Sequence, residues 1–114
     1  MKIKTSKEQL LSGIQVVQNI VSTKTTLPIL SNMLLETRNG VIKLNATDLD
    51  IGISCEIPVN ILEEGAITIP AKRFSDIVRE LPLGDISIHV KKNNQIDIEG
   101  ENCRFKLKKY IFNW

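Results

Sequence analysis

Gly65-Ala66-Ile67-Thr68-Ile69-Pro70-Ala71-Lys72-Arg73-Phe74-Ser75-Asp76-Ile77-Val78-Arg79-Glu80-Leu81-Pro82 reads as a short strand running into a helix. Phe74, Ile77, Val78 and Leu81 recur at steps of three and four, one apolar stripe at helical spacing. Pro70 stands where a helix begins, and Pro82 disfavours helix at the residue before it, so the spacing predicts a helix from about 71 to 81. Shifting the chain by 64 residues places Ile3 on Ile67, Leu10 on Phe74, Ile14 on Val78 and Val17 on Leu81. The stretch is thus one copy of a weak internal repeat.

The other copy carries Leu10, Leu11, Ile14, Val17 and Val21 at the same steps, behind a Ser6-x-x-Gln9 capping-box pattern, which predicts a helix from about 7 to 21. Outside the helices the period falls to two. Ile51, Ile53, Cys55 and Ile57 alternate with Gly52, Ser54 and Glu56, as in a half-buried strand. Asn39-Gly40 tolerates the positive backbone angles of a two-residue hairpin turn and should join strands near 30–38 and 41–47. Asn93-Asn94 should join 86–92 to 95–100 in the same way. Each half then reads as strand, helix, three strands. Because each helix has a single apolar stripe to bury, the expected fold is a two-layer α+β domain with both helices side by side on one layer and antiparallel sheets on the other.

At 114 residues the chain has the size of one domain. Hydrophobic residues at 42% and charged residues at 25% match an ordinary globular composition, with a core left to aliphatic side chains. No run of about 18 apolar residues occurs, and Met1-Lys2-Ile3-Lys4-Thr5 alternates instead of forming a signal peptide's apolar segment, so a cytoplasmic protein with no membrane partner is expected. In that compartment Cys55 and Cys103 read as two unpaired thiols. The formal net charge of +2 does not by itself predict nucleic-acid binding. The basic clusters Lys91-Lys92 and Arg104, Lys106, Lys108 and Lys109 read as solvated strand faces.

Enzymatic chemistry finds little footing. His89, the single histidine, alternates with Ile86, Ile88 and Val90, hence faces solvent, and no second group is evident to orient it. Asp48-x-Asp50 is a lone carboxylate pair, better read as a strand-end turn than as a cation site. No phosphate-binding loop, dinucleotide fingerprint or Cys-x-x-Cys is present, and no metal or other cofactor is expected.

Four consecutive segments resemble the N-terminal domain of the bacterial DNA polymerase III beta sliding clamp family. They are Thr25-Thr26-Leu27-Pro28-Ile29-Leu30-Ser31-Asn32, Ala46-Thr47-Asp48-Leu49-Asp50-Ile51, Gly65 to Phe74, and Asp76-Ile77-Val78-Arg79-Glu80-Leu81-Pro82. The closing Cys103-Arg104-Phe105-Lys106-Leu107 is similar to the family's last strand of that domain. The resemblance implies the DNA clamp fold, with helices lining a ring and sheets forming its outside, three such domains per chain and two chains per ring. It also implies a non-catalytic processivity factor that tethers the replicative polymerase to duplex DNA topologically and without sequence preference. Its implied partners are DNA polymerase III subunits, the clamp loader and the clamp domains of a second subunit.

Family DNA contacts carry over to Lys24, at the end of the first helix, and to Lys72 at the start of the second, with Arg73 as its neighbour. Basic groups at a helix start oppose the helix dipole, a cost that a phosphate contact would explain. The family's subunit seam carries over to Arg73, Asp76, Ile77 and Leu81 on the second helix and to Arg104 and Phe105 on the last strand; Ile77, Leu81 and Phe105 equally suit a plain core. The sequence departs from the family after residue 107: residues 108–114, Lys108-Lys109-Tyr110-Ile111-Phe112-Asn113-Trp114, form an aromatic tail that reads as a truncated or frameshifted end. Asn102 is a further departure, where the family often has a basic residue. The alternative is therefore a truncated or free-standing clamp-like interaction module that does not close a ring by itself.

Overall fold

A computed structural model of the protein describes residues 1–18, 32–47, 51–93 and 95–108. Its elements run β1 (Lys2–Ser6), α1 (Lys7–Gln18), β2 (Asn32–Arg38), β3 (Val41–Thr47), β4 (Gly52–Pro58), β5 (Asn60–Glu63), β6 (Ala66–Pro70), α2 (Ala71–Glu80), β7 (Asp85–Val90), β8 (Gln95–Gly100) and β9 (Cys103–Lys108). The opening strand and helix start of the two halves are offset by the expected 64 residues. All eight residues that the shift superposes, from Ile3 and Ile67 to Val17 and Leu81, are buried.

The strands form two antiparallel sheets, ordered β5-β1-β7-β8-β9 and β4-β3-β2-β6. The opening strands are exchanged: β1 pairs with β7 of the second half, and β6 pairs with β2 of the first. The helices lie side by side and antiparallel. Ser75 Oγ near the start of α2 donates to Gln18 Oε1 at the end of α1, at 2.9 Å. At the other end Lys7 Nζ donates to the carbonyls of Arg79 at 2.9 Å and Leu81 at 2.6 Å. A side chain at Gly13 would press on the sheet below, since its Cβ would lie 3.2 Å from Ile57 Cγ2 and 3.5 Å from Leu44 Cδ1. The absence of that side chain lets α1 sit low over β3 and β4.

Local signals act as expected at several places. Ser6 Oγ accepts the backbone N–H of Gln9 at 3.2 Å, which caps α1, while Gln9 Oε1 accepts from Thr5 Oγ1 at 3.5 Å instead of closing the second half of the capping box. Asn39 and Gly40 have φ of 49° and 81°, as a two-residue hairpin requires. Asn102 takes φ 59° in the β8–β9 turn, a conformation that asparagine tolerates better than most residues.

Other boundaries differ from expectation. Helix α2 stops at Glu80, and Leu81, restrained by Pro82, is extended at φ −71°, ψ 145°. Strand β7 ends at Val90, because the Lys91 N–H already closes the turn onto the Gln95 carbonyl at 2.8 Å. Ile51, expected on the buried face, precedes β4 and is exposed, whereas Ile57 is buried. Strand β5 was not expected from the sequence pattern. Strand β9 extends through Lys108, which pairs with Gln95. The end of the first expected helix, the Asp48-x-Asp50 turn and residues 109–114 lie outside the described residues. Among the described residues no helix is long and apolar enough to cross a membrane.

Candidate nucleic-acid interface and seam

Helix α2 divides into faces by its own periodicity. Ala71, Phe74, Ser75, Ile77 and Val78 are buried, while Lys72, Arg73, Asp76, Arg79 and Glu80 are exposed. At about 100° per residue, Lys72, Asp76 and Arg79 fall on one outward stripe. Ser75 turns toward α1. Arg73, Ile77 and Leu81, at four-residue spacing, line the opposite flank. The two expected DNA-binding residues of α2 therefore diverge: Lys72 points outward beside the helix pair, and Arg73 lies on the flank that carries the expected seam.

The start of α2 is electrostatically unfavourable on its own. Pro70 provides no side-chain cap, the first turn has no acidic residue, and Lys72 and Arg73 place positive charge beside the free N–H groups. None of the ion pairs among the described residues involves either side chain. The end of α2, by contrast, is well satisfied. The Leu81 N–H donates to the Ile77 and Val78 carbonyls, and the Lys7 ammonium covers the next free carbonyls. The expected contact Lys24 lies outside the described residues.

On the flank, Ile77 is 7% exposed and Leu81 only 1%, so this chain's own core claims most of both side chains. Leu81 packs under β8, where a Cβ at Gly100 would come within 3.1 Å of Leu81 Cδ2. Gly100 pairs with Cys103, which brings the end of the α2 flank close to the start of β9. Arg104 is exposed on β9 and binds Glu99 across the strand pair at 2.7 Å, while Phe105 is half-buried against the core. Arg73 and Asp76 are thus the exposed seam candidates in no ion pair among the described residues, while Arg104 is exposed but paired with Glu99. Strand β9 is also the edge of its sheet among the described residues, with one backbone edge unpaired.

The outer face of the five-stranded sheet holds a cross-strand row of Lys2, His89, Asp97 and Lys106. His89 is half-buried in this row, not turned fully to solvent as its alternation suggested. Asp97, which the sequence did not single out, is 4% exposed; it accepts from Gln95 Nε2 at 2.7 Å and pairs with Lys91 Nζ at 2.9 Å. The Gln95 hydrogen bond, then that of Lys91, holds its carboxyl below the usual carboxylate value against the opposing effect of burial. The pattern Lys91…Gln95…Asp97 around a hairpin was the available signal. Cys55 on β4 and Cys103 on β9 are free thiols.

Known proteins resemble this chain in sequence and fold. The beta sliding clamp of Chlamydia muridarum is 32% identical over 107 residues, covering 94% of this chain and 29% of the relative. A beta sliding clamp sequence from Vibrio harveyi is 32% identical over 108 residues, covering 94% of this chain and 74% of that sequence. The crystal structure of the DNA polymerase sliding clamp from Caulobacter crescentus superposes with a TM-score of 0.89 at 36% identity, over 95% of this chain and 30% of that one. The chain therefore spans under a third of the length of the Chlamydia and Caulobacter clamps. The sequence pattern of the DNA polymerase III beta subunit, N-terminal domain, matches residues 1–111, and the chain belongs to that family.

Proposed function

We propose that this chain serves as a clamp domain of a DNA polymerase processivity factor, part of a ring that encircles duplex DNA and tethers the replicative polymerase in the cytoplasm. The observation that carries the reading is the family match over residues 1–111. In this reading Lys24, Lys72 and Arg73 attract phosphates, with Lys72 on the outward stripe of α2. Arg73, Asp76, Ile77, Leu81, Arg104 and Phe105 form the joint with a clamp domain of a second subunit. Ile77 and Leu81 back the joint from the core, and the exposed Arg73, Asp76 and Arg104 make its outward contacts. The domain contributes no catalysis; its partners are duplex DNA, polymerase III subunits and the clamp loader.

A topological tether needs only loose phosphate attraction, which suits a net charge of +2. If Lys24, Lys72 and Arg73 each neutralise one phosphate, log affinity for linear duplex should fall against log salt with a slope of about −2 to −3. Titration of duplexes of equal length and different sequence, with Lys24→Ala and Lys72→Ala in parallel, tests this. Weak, sequence-indifferent binding whose slope flattens in both variants is expected. Nanomolar, sequence-dependent binding at physiological salt, unaffected by either substitution, would overturn the proposal.

A further inference from the structure

We infer that Arg79 is a further phosphate-contacting residue, which together with Lys72 extends the duplex contact along one stripe of α2. This rests on the DNA-binding reading above. Seven residues separate the two, about two helical turns and about 10 Å along the axis, which returns Arg79 to the line of Lys72. Both side chains are exposed, and neither takes part in an ion pair among the described residues. The bond from Lys7 engages only the Arg79 backbone carbonyl, not its guanidinium.

The neighbouring helix supplies no alternative. The exposed positions of α1 are Glu8, Gln9, Ser12, Gln15 and Val16, with one carboxylate and no cation. Lys7, at its start, spends its ammonium on the end of α2. Among the described residues, a polyanion lying across the helix pair therefore meets uncommitted positive charge only along α2, at Lys72 and Arg79 on either side of the exposed Asp76 carboxylate. An arginine suits the far end of that stripe, since its planar fork takes two phosphate oxygens at once.

Arg79 also lies in the last turn of α2, where a cation complements the helix dipole, and the experiment must separate the two roles. The test is a titration of linear duplex by the 114-residue chain and its Arg79→Ala, Arg79→Lys and Lys72→Ala variants across salt concentration, with the melting midpoint of each recorded. Loss of one phosphate contact should flatten the salt slope by about 0.9, so the affinity ratio of parent to Arg79→Ala should change by a factor of about 3.5 between about 50 and about 200 mM salt. Arg79→Lys should restore the parental slope. A lowered melting midpoint with an unchanged slope in Arg79→Ala would make the residue a helix-dipole partner and overturn the inference, even where Lys72→Ala flattens the slope. Unchanged slopes in both alanine variants would overturn the DNA-binding reading itself.

Discussion

Replacing Lys7 by methionine keeps the aliphatic stem and removes only the ammonium, which isolates a contact between elements more than seventy residues apart in the chain. In the parent that ammonium donates to the Leu81 carbonyl at 2.6 Å in a partly buried setting and to the Arg79 carbonyl at 2.9 Å in an exposed one. Hydrogen bonds to charged groups contribute about 1.5–3 kcal/mol, and the exposed member is worth less because water competes for it. The positive charge at the C-terminal end of α2 adds about 0.3–1 kcal/mol, and ordering the long side chain costs up to about 2 kcal/mol. The net loss expected for Lys7→Met is about 1–2 kcal/mol. In a domain of this size that lowers the melting midpoint by about 5–10 °C. Urea unfolding should show the same loss as a reduced midpoint at unchanged m-value, since the surface exposed on unfolding is the same. Lys7→Arg, which retains a cationic donor, should recover at least half of it. A methionine variant within about 0.5 kcal/mol of the parent would refute the reasoning and reduce Lys7 to one more surface cation.

Asp97→Asn should cost about 1.5–3 kcal/mol through the two charge-assisted hydrogen bonds, with little more from the ion pair itself because Lys91 is 41% exposed. Since folding lowers the Asp97 pKa, its stabilisation is complete above the ordinary carboxylate value and disappears as pH falls through the lower folded value. Urea midpoints measured downward from neutral pH should therefore converge for parent and Asn variant at the acid end; a gap that persists there would contradict the assignment. Gly65→Ala should destabilise by about 1–3 kcal/mol, because its Cβ would stand 2.9 Å from Met1 Cβ and 3.2 Å from the Met1 backbone, forcing the end of the sheet to move. Calorimetry that finds the alanine variant as stable as the parent would show that Met1 yields without cost.

The parts of the fold legible in the sequence are those set by local chemistry. Ser6 and the prolines at 70 and 82 mark helix ends because they act on the backbone beside them, and Asn39-Gly40 marks a turn because few other pairs adopt two positive φ angles. Strand β5 escaped because Ile61 is half-buried and Leu62 is exposed, so Asn60–Glu63 shows no clean alternation. The division of α2 into an outward stripe and a flank follows from helical period alone, and Arg79 could have been placed with Lys72 by the same count. The burial of Leu81 could not, since it depends on Gly100, a residue without a side chain on a strand of the other layer. Likewise alternation assigns His89 to the outer face but says nothing of Asp97 beside it, which leaves that face less open than a single strand suggests.

The exchange of opening strands is the feature that sequence period is least able to reveal, because it fixes which side of a strand is buried and not which strand lies beside it. Its mechanical consequence is direct. Strand β1 passes into α1 and β6 into α2 without an intervening residue, so each helix begins where its strand is already hydrogen-bonded into the other half's sheet. The two helices are then tied to each other at one end by Lys7 and at the other by Ser75 and Gln18. Displacing α2 would pull β6 from β2 and release the Leu81 contact beneath Gly100. The outward stripe of α2 and the β9 edge are therefore held in one relative position by paired strands and packed side chains. Both faces gain their geometry from that interlocking, since neither rests on a free-standing loop.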